Sequence, residues 1–156
     1  MSYMMQLRKV LGSQPLIMTG VCVIVRNEQG EFLLQLRSDS LDWGTLGGAL
    51  ELGESMEEAA ARELYEEAGL SAESYRFVKL LSGKEMYYRY PNGDEVYNVT
   101  AVYEARGVQG EPAIQDDEGL ALRYYALPDI YKQLNPFSKV ILTHAGYWQE
   151  GECHSE

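Results

Sequence analysis

The sequence predicts an α/β domain in which a mixed β-sheet is layered with helices. Three observations carry that expectation. Runs at 16–26, 31–37, 75–90, 95–106 and 120–126 are apolar or alternating, and Gly, Pro, Asn and Asp turn signals bound them as strands. One capped helix at 55–68 interrupts the strands. A second helical run, 136–148, closes the chain behind Asn135-Pro136. Strand hairpins interrupted by one helix and ended by another suit a layered sandwich.

Along the chain, residues 3–11 form a short amphipathic helix or a strand, and Gly12 and Pro15 break it. Residues 16–26 are rich in β-branched types and read as a strand. Asn27-Glu28-Gln29-Gly30 is a turn, so 31–37 returns as the second arm of a hairpin. Residues 38–48 are expected as a loop carrying Trp43. Residues 75–90 are one long strand or two shorter ones, with a break near Ser82-Gly83. Pro91-Asn92-Gly93-Asp94 is a strong turn signal before the strand at 95–106. A polar, acidic loop covers 107–119, and Pro128 starts a short helix or turn.

The 156 residues suit one domain with a substantial core, spanning 1–156. Residues 1–14 are an N-terminal extension to it, and 149–156 a tail expected to fray. The longest apolar stretch, Val21 to Val25, is far too short to span a membrane. Cys22 in a buried strand and Cys153 in the tail make no disulfide framework, and a cytoplasmic location is expected. A net charge of −11 argues against a chain that grips nucleic acid through a basic patch. A polyanionic substrate would be met by bound metal and a few local cations, with Arg26, Arg37, Lys79, Lys84 and Arg89 as candidates. Whether the chain forms a homodimer is left open.

The densest chemistry lies at 48–70, GALELGESMEEAAARELYEEAGL. Ser55 and Glu58 have the spacing of a capping box, and Gly69 follows the C-cap. At about 100° per residue, Glu63, Glu66 and Glu67 fall within one arc of about 100°. Glu57, Ala60, Ala61, Leu64 and Ala68 fall on the adjoining arc, which is small and mostly apolar. One side of the helix can pack closely on a sheet while the next presents acids. Three like charges on adjacent turns repel, and Arg62 is the only base in the helix. A divalent cation resolves the repulsion, and a carboxylate-only set favours Mg²⁺ or Mn²⁺ over zinc.

The pattern Gly48-x5-Glu54-x7-Arg62-Glu63-Leu64-x-Glu66-Glu67-x-Gly69-Leu70 resembles the full Nudix box of the MutT-like hydrolases, with no departure inside it. Upstream, Trp43-Gly44-Thr45-Leu46-Gly47-Gly48 is similar to the family's W-x-x-P-G-G approach, with Leu46 where proline is usual. The resemblance implies an α/β/α sandwich around a mixed sheet, with the box as a loop-helix-loop. It implies hydrolysis of a pyrophosphate bond in a nucleoside diphosphate linked to another moiety, with Mg²⁺ or Mn²⁺. Glu63, Glu66 and Glu67 would hold metal, with the Gly48 carbonyl as a further ligand. Arg62 would orient the carboxylates with Glu54 as its partner, and Glu54, Gly47 and Gly69 would be structural. The base is either Glu63 or an acid of Asp116-Asp117-Glu118, with Glu118 favoured in that run; the run reads equally as a solvated loop.

For the substrate's organic part, Trp43 is a candidate clamp at the pocket mouth, with anchoring of its own loop the favoured alternative. Tyr87 and Tyr88, seventeen and eighteen residues past Leu70, resemble in placement the tyrosine of dinucleoside-polyphosphate members, with simple packing in a Tyr-rich strand the favoured alternative. Neither His144 nor His154 reads as catalytic. The alternative reading is a Nudix-fold module that senses a nucleotide without cutting it.

Overall fold

Apolar runs that need cover on both faces set the layers of this molecule. Its computed structural model describes residues 2–149; Cys153, His154 and the 150–156 part of the expected tail lie outside the described residues. The strands are β1 (Leu16–Ile24), β2 (Phe32–Arg37), β3 (Trp43–Gly44), β4 (Leu46–Ala49), β5 (Ser71–Leu81), β6 (Tyr87–Arg89), β7 (Glu95–Gln109) and β8 (Gly119–Tyr125). The helices are α1 (Tyr3–Leu11), α2 (Met56–Ala68), α3 (Leu127–Ile130) and α4 (Pro136–His144). A five-stranded sheet runs β4-β1-β7-β5, with β6 also paired to β7. It is mixed, because β1 and β7 are parallel while the other pairs are antiparallel. A second, three-stranded sheet runs β3-β2-β8.

Alternation along β1 divides the core. Val21, Val23 and Val25 join Ala59, Ala60, Leu64 and Ala68 of α2 in one buried cluster. Cys22 and Ile24 point the other way, into a cluster with Ile130, Ile141, Leu142 and Trp148 around α3 and α4. A strand covered on both faces reads as a continuous apolar run, as Val21 to Val25 does. The result is the expected α/β/α sandwich. Leu46, at the place where the family usually carries proline, is fully buried beneath α2.

Several expectations need correction. The 16–37 hairpin holds only at its tip, where Asn27 donates to the Glu31 carbonyl and Leu33 to that of Val25. Beyond it the arms part into different sheets, because β1 is claimed by β4 and β7, and β2 by β3 and β8. The 38–48 loop contains β3 and most of β4. The 75–90 strand begins earlier, at Ser71, and a 3₁₀ turn at Lys84–Met86 separates β5 from β6. β7 runs past Arg106 to Gln109. Residues 3–11 are a helix and not a strand. The closing helix ends at His144, where Gly146 turns the chain and both Tyr147 and Trp148 donate to the Leu142 carbonyl. On α2, Ala61 is exposed and Ala59 is buried, so the packing face is rotated from the one expected.

Gly47 fixes how closely β4 approaches β1. Its φ is 151°, and a Cβ there would lie 2.1 Å from the Val21 carbonyl oxygen. Gly53 also has positive φ, 79°, but open space around it. Gly47→Ala is expected to cost about 2–4 kcal/mol, since backbone must move. Gly53→Ala should cost only about 1–2 kcal/mol of left-handed strain. Urea unfolding of the two variants checks this; equal losses would mean that the close approach is not limiting.

Candidate active site

α2 starts where the sequence puts it. Ser55 accepts from the Glu58 N–H at 3.1 Å and Glu58 accepts from the Ser55 N–H at 3.4 Å, which completes the capping box. Replacing such a cap costs about 1 kcal/mol. Gly69 ends the helix in the left-handed region, φ 68°, donating to the Tyr65 carbonyl. Between these ends α2 crosses the edge strand β4, and the acids meet glycines there. The Gly47 N–H, on the edge of β4 away from β1, donates to Glu67 Oε1 at 2.9 Å. The Glu63 carboxylate lies so close to Gly48 that a Cβ on that residue would be 2.3 Å from Glu63 Oε1. Only a residue without a side chain at position 48 lets the Glu63 carboxylate reach the strand.

Glu67 is 3% exposed and Glu63 9%. Burial, then the hydrogen bond and charge of Glu63, push the Glu67 carboxyl well above its ordinary range. Burial also raises Glu63, against the opposing pull of Arg62. The negative charge of Glu63 therefore disfavours ionisation of Glu67, and Glu67, the more deeply buried, is the one held further above the ordinary range. Two acids pressed together out of water cannot both ionise cheaply without a cation between or beside them.

Arg62 organises the rest. Its Nε and Nη2 donate to the two oxygens of Glu54 at 2.7 and 2.9 Å, and Nη2 also donates to the Ala49 carbonyl at 2.9 Å. Nη1 donates to Glu63 Oε1 at 2.8 Å and to Glu66 Oε2 at 3.2 Å. Arg62 in turn holds the Glu54 carboxyl below the usual range. A two-pronged, partly buried network of this kind is where an ion pair matters most. Glu66 stays half exposed at the cleft. With these side chains turned to Arg62, no three Asp, Glu, His or Cys groups among the described residues converge as a ready-made cation cage. The donor set is nonetheless all oxygen, and two of its carboxylates are buried together with no cation of their own beyond Arg62, which fits Mg²⁺ or Mn²⁺.

A cleft of about 560 Å³ opens over these acids, lined by Gly48, Glu63, Glu66, Arg37, Asp116 and Glu118 among others. Glu118 reaches it from the loop before β8, which is tied down where the Ser38 N–H donates to the Glu118 carbonyl. Partial burial, then the charges of Asp116 and Glu63, raise the Glu118 carboxyl. Asp117 does not line the cleft. An inner pocket of about 90 Å³ adjoins it past Gly47 and Gly48. Tyr88 and Asn135 line that pocket, and the Asn135 amide donates to the Tyr88 hydroxyl at 2.9 Å. Cys22 also borders it, with its thiol pushed up to about 12 by burial, so it is unreactive there.

The other aromatic candidates lie elsewhere. Trp43 is buried against Tyr125, ring centroids 5.0 Å apart, and is a core residue, not a clamp at the pocket mouth. Tyr87 packs on Tyr97 and donates to Glu95, and it lines none of the pockets described here. Of the cations considered, only Arg37 borders the cleft, where Asp39 holds it through bonds of 3.0 and 2.9 Å. Arg26 joins Arg76 and Arg106 around buried Glu104. Lys79 donates to the His144 carbonyl. Sequence reasoning missed Tyr90, which lines both the cleft and the inner pocket. The period of two along β6 was the available signal, since it sets Tyr88 and Tyr90 on one face and Tyr87 on the other.

A pH effect follows from the acid pair. Glu67 keeps a proton in the folded chain that the unfolded chain loses above its ordinary value of 4.5. Its contribution to stability therefore falls as pH rises from about 4.5 through the raised value. Glu67→Gln removes that loss, so its melting temperature, measured in chelator, should gain on wild type as pH rises from about 5 to 8. A constant difference across that range would mean the pair is not buried as described.

The NUDIX domain family matches residues 16–145. The chain is 34% identical over 88 residues to a nucleoside triphosphate pyrophosphatase/Nudix hydrolase fusion protein of Bifidobacterium longum, covering 56% of this chain and 17% of that protein. It is 40% identical over 70 residues to an RNA pyrophosphohydrolase of Shewanella denitrificans, covering 45% of this chain and 39% of that protein. The chain thus spans well under two thirds of each relative's length. Among solved structures, a MutT NUDIX hydrolase from Burkholderia pseudomallei superposes with a TM-score of 0.66 at 28% identity, covering 83% of this chain and 96% of that one. With the box residues gathered at the β4 edge and the family match spanning most of its length, the chain belongs to the NUDIX domain family.

Proposed function

We propose that this protein is a hydrolase that cuts a pyrophosphate bond in a nucleoside diphosphate linked to another moiety. The observation that carries the reading is the buried Glu63–Glu67 pair pressed against Gly47 and Gly48. A fold needs no such pair, and its cost is recovered when a hard cation is bound. Glu63, Glu66 and Glu67 would hold Mg²⁺ or Mn²⁺, with the Gly48 carbonyl as a further ligand. Bound there, the cation supplies Lewis acidity toward the phosphoryl oxygens and lowers the pKa of an attacking water. The pyrophosphatase names of the relatives support the same bond class.

The chain's own residues do the remaining work. Arg62, anchored on Glu54 and Ala49, positions Glu63 and Glu66 at the cleft floor. Arg37, at the border of cleft and inner pocket, meets phosphate charge. A carboxylate with a raised pKa suits proton removal from water. Glu118 has that property and faces Glu63 across the cleft, so it is the preferred base, with Glu63 the other candidate. Tyr88 is the one aromatic of the three sequence candidates retained beside the substrate. A sensor that binds a nucleotide without cutting it would not need the full acid set.

A panel of nucleoside di- and triphosphate derivatives with Mg²⁺, read by phosphate or pyrophosphate release, tests the reading. Turnover is expected, and binding without turnover would favour the sensor. Glu66→Gln leaves the packed face of α2 intact, and it should lower kcat by about 10²–10⁴. A wild-type rate in that variant would refute the assignment.

A further inference from the structure

The family match begins at residue 16, and α1 lies before it. This helix nevertheless forms one wall of the substrate cleft. Met4 borders the acid cleft, and Met4, Met5 and Arg8 line an outer groove of about 600 Å³. The groove continues from the acid cleft, with Met4, Met18, Tyr90 and Glu118 common to both. Asn92, Asp94 and Val96 also line it.

Burial does not hold α1 in place, since none of its residues is buried. Arg8 does. Its guanidinium donates to the carbonyls of Gly12, Gln14 and Glu95 at 2.9, 2.6 and 2.7 Å and lies 3.7 Å from the Asp94 carboxylate. Ser13 donates to Asp94 at 2.9 Å, and the Tyr3 N–H to Glu51 at 3.1 Å. These bonds set the helix beside the groove without filling it. Where the groove joins the acid cleft, two thioethers, Met4 and Met18, and the ring of Tyr90 line it together with Glu118, and Met5, Lys9 and Val96 line it further out. Methionine sulfur and tyrosine faces both favour contact with flat rings. The inner pocket, at about 90 Å³, is smaller than the roughly 150 Å³ cavity that accepts benzene. The outer groove lies in the range of about 300–1,000 Å³ typical of ligand sites.

We propose that the outer groove is a ring subsite, in which Met4 of α1, Met18 and Tyr90 clasp the nucleobase of a substrate whose phosphates lie over Glu63 and Glu66. The subsite rests on the nucleotide-hydrolase reading and adds to it a specificity wall from outside the family-wide domain. Arg8 is a positioning residue for that wall.

Methyl-labelled methionine NMR of the full chain tests it, because each of the six methionines gives its own signal. A nucleoside 5′-diphosphate with Mg²⁺ should move the Met4 and Met18 methyls upfield through ring current, and inorganic pyrophosphate should not. Movement of Met18 with Met4 unmoved would put the ring in the inner pocket and overturn the proposal, as would no movement of either. Met4→Gln should cut the preference for a nucleoside diphosphate over a ring-free alkyl diphosphate by roughly 2- to 10-fold; an unchanged preference would also overturn it. Turnover measured on the same samples separates the two readings. Turnover with Met4 unmoved removes the subsite alone, and Met4 movement without turnover keeps the subsite and removes hydrolysis. Neither turnover nor movement removes both.

Discussion

Two carboxyl groups buried side by side against a strand edge impose the constraint that the rest of the cleft answers. Glu63 can reach β4 only because Gly48 presents no side chain to it, while Glu67 is held there by the Gly47 N–H. The approach of α2 depends in turn on Ala59, Ala60 and Ala68, which keep the helix close to β1 and β4. Arg62 then spans the loop and the helix, joining Glu54 and the Ala49 carbonyl to two of the acids. The glycine and the alanines bring the negative charges together, and Arg62 offsets part of their repulsion. Their coexistence makes sense for a site that binds a cation, and less for a helix that only needs to be soluble.

The electrostatics of the cleft are consistent with the composition. A chain of net charge −11 has little positive potential to offer a phosphate. Arg37 is the cation at the junction of cleft and inner pocket, and it is already paired with Asp39. Arg26, Arg76 and Arg106 are spent on the buried Glu104 carboxylate. In the proposed function the bound cation therefore provides most of the attraction for the phosphates. The side chains set position and proton transfer.

What the sequence disclosed was local. The Ser55 cap, the Gly69 stop and the three-acid arc of α2 all depend on residues within about four positions of each other, so spacing was enough to read them. Sheet membership was hidden, because the partners of β1 and β2 lie far along the chain and a turn signal at 27–30 says nothing about where the arms go afterwards. The α2 packing face was misread by one alanine. Ala59 and Ala61 are alike in size and propensity, and only the tertiary partner decides which is covered. Tyr87 and Trp43 drew notice as aromatics, yet Tyr97 and Tyr125 claim them. The place of α1 had no signal, since polar bonds from Arg8 to distant backbone set it.

The most direct test of the account is a crystal soaked with Mn²⁺ and examined by anomalous diffraction. The ion is expected between the carboxylates of Glu63, Glu66 and Glu67 beside the Gly48 carbonyl, with Glu63 and Glu66 turned from Arg62 toward it. An ion bound at another place, with Glu63 and Glu66 still turned to Arg62, would contradict that placement.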